Sequence, residues 1–179
     1  AYVNDFSLKG IDHRLFTTKN KLAKGYIVIF TCNHCPFAKL YTKRLNDLNR
    51  MYAKQGVPLL AINSMDTLAY VEESFKLMQK KAKKDQFSFP YLQDKKQVVG
   101  KNFKASVTPQ AFVIWKQNNK FVVKYEGAID DNAGDNEKVK NHFLTNAVDQ
   151  LLKGNEVTVK NSEPFGCKIF YRGIKDKMK

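Results

Sequence analysis

The sequence predicts an α/β domain, and three observations carry that prediction. Short β-branched and aromatic runs alternate with segments of helical spacing. The runs are continuously apolar, as in strands buried on both faces. A length of 179 residues suits one hydrophobic core better than two.

Taken in order, "DFSLKGIDHRLFTT" places two short apolar stretches around "KGID", whose glycine and aspartate favour a turn, so an N-terminal β-hairpin is expected. "YIVIF" (26–30) reads as a buried strand. Phe37, Tyr41, Leu45, Leu48 and Tyr52 then keep helical spacing as far as Gly56. "VPLLAI" (57–62) is the next buried strand, and Leu68, Val71, Phe75, Met78 and Ala82 predict a helix after it. This alternation calls for parallel strands joined by right-handed crossovers. After "FPYLQD" a short helical stretch covers 97–103, followed by "SVTP". "QAFVIW" and "KFVVKY" flank "KQNN", where Asn118 and Asn119 tolerate positive φ, so these runs form a second hairpin. Val139, Phe143, Ala147, Val148, Leu151 and Leu152 mark a last amphipathic helix, and residues 154–179 read as a polar, irregular tail. No repeat, low-complexity tract or linker divides the chain, so residues 1–179 are taken as one domain with its core at about 22–153.

Apolar residues at 43% and charged residues at 27% are ordinary for a globular protein, and no run approaches the roughly 18 apolar residues of a membrane span. The chain begins at Ala1, so a missing leader says nothing about compartment. The net charge of +14 raises the question of nucleic acid. Lys76, Lys80, Lys81, Lys83 and Lys84, however, fall largely off the apolar face of their helix, and no nucleic-acid motif accompanies them. A solvated helix surface is the expectation.

The chemistry-bearing stretch is "FTCNHCPF", where a strand feeds a helix. Three cysteines, Cys32, Cys35 and Cys167, are too few for a disulfide scaffold. Structural zinc needs four ligands, and His13, His34, His142 and Cys167 stand at no supporting spacing, so no metal site is expected. A purely structural Cys32–Cys35 bond closes a very small loop and stabilises little. A redox pair fits better, because a cysteine in the first turn of a helix meets unpaired N–H groups and the positive end of the helix dipole, which favour thiolate. Cys32 is therefore expected as nucleophile and Cys35 as the resolving thiol that releases a mixed disulfide. His34, between them, is expected to tune the thiolate.

"IVIFTCNHCPF", "LLAINSMD", "FPYLQD", "VTPQAF", "YEGAIDD" and "FGCKI" together resemble the thioredoxin-like branch of the redoxin (AhpC/TSA, alkyl hydroperoxide reductase/thiol-specific antioxidant) superfamily, over about residues 5–169. The resemblance implies a thioredoxin fold, a central mixed sheet flanked by helices, carrying the N-terminal hairpin as an extension. It implies thiol–disulfide oxidoreductase activity at Cys32 and Cys35, with the redox-active disulfide in place of a bound cofactor. It also implies a cis Thr108–Pro109 bond in a loop against the pair, where Thr108 and Pro109 bind an extended substrate. The usual thioredoxin pair encloses Gly-Pro, whereas Asn33 and His34 stand here, as in oxidising or isomerising relatives, which leaves the direction of electron flow open. Partners are then disulfide or thiol substrates, protein or small molecule, and a reductant; oligomeric state is open, and a periplasmic or other extracytoplasmic setting is favoured over a cytoplasmic one.

Two alternatives stand beside this reading. Peroxiredoxins carry Pro-x-x-x-Thr-x-x-Cys; counting back from Cys32 gives Ile29 and Gly25, and from Cys35 gives Cys32 and Val28, so the peroxidase motif is absent. Copper carriers resembling the Sco-type proteins separate their cysteines by three residues rather than two, although soft thiolates suit Cu(I). Asp130 and Asp131 match the family pattern, yet a solvated turn explains them equally well. Cys167, flanked by Phe165, Ile169 and Phe170, is expected to be a small apolar residue docking the tail, with only a Cys32–Cys35 bond in the oxidised protein.

Overall fold

A computed structural model describes residues 1–19 and 22–173. Its centre is strand β4 (Gly25–Phe30), numbered after β1 (Tyr2–Val3), β2 (Ser7–Gly10) and β3 (Leu15–Thr17). All six residues of β4 are buried, because alternate side chains enter two different cores. Ile27 and Ile29 pack with Tyr41, Leu45, Met78, Leu144 and Val148. Tyr26, Val28 and Phe30 face the opposite side, with Phe103, Phe112 and Ile114.

Strand β4 runs parallel to β5 (Leu59–Asn63), and β5 runs parallel to β6 (Tyr91–Gln93). On its other edge β4 is antiparallel to β8 (Gln110–Gln117), which turns through Asn118 (φ 51°) and Asn119 (φ 62°) into β9 (Lys120–Gly127). The short β7 (Val107–Thr108) precedes β8. The eight-stranded sheet has the order β1-β9-β8-β4-β5-β6-β2-β3, so the N-terminal hairpin extends it by pairing β2 with β6. The result is the mixed, helix-flanked sheet that was expected. Strand β1, which only two residues define, had no sequence signal.

Helix α1 (Pro36–Tyr52) fills the first core with Tyr41, Leu45, Leu48 and Tyr52, and the chain leaves it through Gly56, whose φ of 86° favours glycine. Helix α2 (Phe75–Lys84) starts later than its periodicity suggested. The Ser74 side chain caps it by accepting from Leu77 N–H at 3.3 Å, and a 3-10 turn at Val71–Glu73 precedes it. Leu68 and Val71, expected on the apolar face, are each 76% exposed. Lys76, Lys80, Lys83 and Lys84 lie outside the buried face, while Lys81 pairs with Asp85. Helix α3 (Val98–Phe103) is capped by Asp94, which accepts from Val99 and Gly100 N–H. Helix α4 (Phe143–Leu152) omits Val139, which lies beyond a separate 3-10 turn.

The C-terminal tail departs from expectation. Within it β10 (Cys167–Lys168) pairs antiparallel with β7, setting Cys167 opposite Thr108. Ile169 N–H donates to Ser106 O at 2.8 Å, and the Ile169 side chain is buried. Periodicity cannot reveal a two-residue strand. Among the described residues no helix is long and apolar enough to cross a membrane.

Candidate active site

The cysteine turn is the link between β4 and α1. Cys35 is the N-cap of α1 and Pro36 its first residue, a position where proline's missing N–H costs nothing. Cys32 lies before the helix rather than in its first turn. Its Sγ accepts from Cys35 N–H at 3.1 Å and from the Thr108 hydroxyl at 3.4 Å. Thr108–Pro109 is cis, and the carbonyl oxygen of Thr108 lies 3.3 Å from Cys35 Sγ. The structure thus brings Cys32, Cys35, Thr108 and Pro109 together.

Cys32 is only 1% exposed. Burial pushes its thiol up from the ordinary value, and the Glu73 carboxylate adds to the rise, against the lowering effect of the Thr108 hydroxyl and the Cys35 N–H. This corrects the expectation of a depressed thiol. The helix dipole is outweighed because Pro36 offers no donor and the sulfur is taken out of water. Labelling of Cys32 with iodoacetamide is therefore expected to be slow at pH 7 and to keep accelerating beyond pH 9.0, the ordinary value of the group. A rate that levels off below pH 8, read by mass spectrometry over roughly pH 6–10, contradicts this assignment.

Glu73 is a site residue that the sequence did not reveal, since its position reads as part of a surface helix. It is 2% exposed. Its carboxylate accepts from the backbone N–H of Asn33 at 2.8 Å and of His34 at 3.1 Å, and from the Asn63 amide at 2.9 Å. Asn33 is further held by Tyr91, whose hydroxyl donates to Asn33 Oδ1 at 2.7 Å, and by its own amide, which donates to Glu72 O at 3.1 Å. Asn33 thus acts as scaffold for the turn. The His34 side chain is exposed, and its bond to Glu73 is made by its backbone. Ser74, a helix N-cap directly after "EE", was the available signal that Glu73 precedes α2.

Cys167 corrects a second expectation. It is disulfide-bonded to Cys35 across β7, with 6.0 Å between the Cα atoms, and Cys32 is the free thiol. The docking role also holds, since Cys167 packs at the edge of the second core and the Phe165 ring meets Phe37 and Tyr41. Among the described residues no group of three or more His, Cys, Asp or Glu side chains is arranged to hold a metal.

A thioredoxin-like sheet with a cysteine turn at the head of α1 and a cis-proline loop beside it defines the thioredoxin-like redox proteins. The AhpC/TSA family matches residues 2–131, and the chain belongs to that family. A hypothetical protein from Sinorhizobium meliloti 1021 is 32% identical, with a TM-score of 0.86 over 97% of this chain and 94% of that one. An uncharacterized conserved protein from Geobacillus kaustophilus is 30% identical, with a TM-score of 0.87 over 98% and 93%. A thiol-disulfide oxidoreductase from Bacteroides fragilis shares the fold, at 14% identity and a TM-score of 0.58 over 70% of this chain and 89% of that one. No curated protein matches the chain.

Proposed function

We propose that the protein is a thiol–disulfide oxidoreductase. Cys32 forms the bond with the substrate and Cys35 resolves it, so the pair itself is the redox group and no further cofactor is needed. The observation that carries this reading is the placement of Cys35 beside Cys32: its N–H donates to Cys32 Sγ at 3.1 Å, and its sulfur becomes the resolving thiol once its disulfide with Cys167 is opened. The N–H stabilises the Cys32 thiolate at the moment it attacks, and the chain direction puts Cys35 within reach of a mixed disulfide at Cys32. Thr108 and Pro109 wall the cleft and take an extended substrate, which is a thiol or disulfide of a protein or small molecule. Asn33 and His34 tune the pair through the backbone bonds that hold the turn to Glu73. A disulfide between residues far apart in the chain suits an extracytoplasmic, oxidising compartment. Family membership and the named fold neighbour from Bacteroides fragilis support the redox class.

Trapping tests the assignment. Cys35→Ser is expected to accumulate mixed disulfides with disulfide substrates at Cys32, one substrate sulfur leaving as a thiolate, seen as added mass on the Cys32 peptide, and Cys32→Ser to lose turnover in insulin reduction. Full turnover in Cys32→Ser rejects the reading.

A further inference from the structure

Three cysteines converge on one loop, and Cys35 has two possible partners. Cys32 precedes it in the same turn, its Sγ held by Cys35 N–H at 3.1 Å and by Thr108 Oγ1 at 3.4 Å. Cys167 reaches it from the other side, brought there by the pairing of β10 with β7. Thr108 Oγ1 also lies 3.4 Å from Cys167 O, so one residue spans both cysteines. The tail is held by the three residues 169–171 that follow β10. Ile169 N–H donates to Ser106 O, the Gln97 amide donates to Phe170 O at 2.9 Å, and the Tyr171 hydroxyl donates to Ala105 O at 2.6 Å. Gly166 permits this approach: a Cβ there would run into the carbonyl of Thr108 and come within 3.1 Å of Pro109 N.

We propose that Cys167 is a third redox cysteine of this centre, which exchanges its bond to Cys35 for a Cys32–Cys35 bond. The step rests on the thiol–disulfide reading above. The Cys32 thiol gives up its proton, and its thiolate attacks Cys35 Sγ. The Cys32–Cys35 bond forms, the Cys35–Cys167 bond breaks, and Cys167 leaves as a thiolate that takes up a proton. One disulfide and one thiol stand on each side, so no external oxidant or reductant enters. While Cys35 is bonded to Cys167, the tail occupies the free edge of β7 and Cys32 stays covered. Once the bond has moved, only backbone pairing and side-chain contacts hold the tail, and an extended substrate competes with it for Thr108.

The experiment uses the full chain, equilibrated in glutathione buffers, acid-quenched, alkylated and mapped without reduction. Two single-disulfide forms are expected, Cys35–Cys167 and Cys32–Cys35, which interconvert over time. Gly166→Ala keeps all three thiols and pushes β10 from β7; it should shift the ratio at least about tenfold toward Cys32–Cys35. Cys32→Ser should hold the Cys35–Cys167 bond with no exchange. A wild-type protein that shows only one of the two forms at every poise overturns the proposal, and this mapping needs no variant to fold. The two readings fail separately. Insulin reduction with Cys32–Cys35 as the sole cycling bond removes the role of Cys167 and keeps the function, whereas interconversion without any disulfide-reducing activity does the reverse.

Discussion

Glu73→Ala is expected to cost about 3 kcal/mol of stability and to loosen the cysteine turn, because one buried and two partly buried donors lose their acceptor together. Two of them, the N–H groups of Asn33 and His34, have no intrahelical partner in this turn, and the third is the amide of Asn63, itself 1% exposed. Bonds to a charged acceptor are worth about 1.5–3 kcal/mol each, and water entering the cavity returns part of the loss. Glu73→Gln keeps one good acceptor oxygen but turns an amide donor toward a donor, so it should cost roughly half as much. The two variants separate structure from electrostatics. The carboxylate raises the Cys32 thiol, so its removal in Glu73→Gln lowers that value and increases the thiolate fraction at any pH below it. Urea unfolding and the pH dependence of Cys32 labelling measure the two effects. A Glu73→Ala protein within about 1 kcal/mol of wild type shows that the turn is held by something else.

What was legible in the sequence follows from how local each signal is. The continuous run of β4 announced burial on both faces, and Asn118 and Asn119 announced their hairpin, because each depends on adjacent residues. The cysteine turn was legible for the same reason: strand, Cys-x-x-Cys and proline are contiguous. The cis bond at Thr108–Pro109 came from family resemblance, since the dipeptide alone does not specify it. The partner of Cys35 was not legible. The bond to Cys167 spans 132 residues and depends on a two-residue strand, too short to leave a periodic trace. Glu73 was hidden differently. Its neighbours Leu68, Val71 and Phe75 mimic helical spacing, and only the Ser74 cap breaks the pattern. The state of the Cys32 thiol was beyond the sequence because a dipole argument counts the helix end and not the surrounding protein. Burial outweighs the dipole here, and the burial of a residue is known only once the fold is.

The second large effect is expected at Arg44. The sequence left Asp130 and Asp131 equally open to a solvated turn, and the structure separates them. Asp131 is exposed and accepts from the N–H groups of Lys140 and Asn141, a loop tether. Asp130 is buried, accepting from the Tyr41 hydroxyl at 2.7 Å and from Arg44 at 2.7 Å. The guanidinium also donates to Asn132 O at 2.6 Å and Ala133 O at 2.8 Å, and it lies over the Tyr41 ring at 4.5 Å. Tyr41 and Arg44 stand on α1, so this cluster ties the helix that carries Cys35 to the loop after β9. Arg44→Met keeps much of the side-chain volume but strands the Asp130 carboxylate among buried groups, at a cost of about 3–5 kcal/mol. Arg44→Met with Asp130→Asn should be less damaging than the sum of the two single changes by at least about 1 kcal/mol, because the second substitution removes the charge that the first leaves unpaired. Urea-unfolding midpoints of the four proteins close the cycle. Additive single changes, or an Arg44→Met protein as stable as wild type, show that solvent rather than Asp130 satisfies the guanidinium.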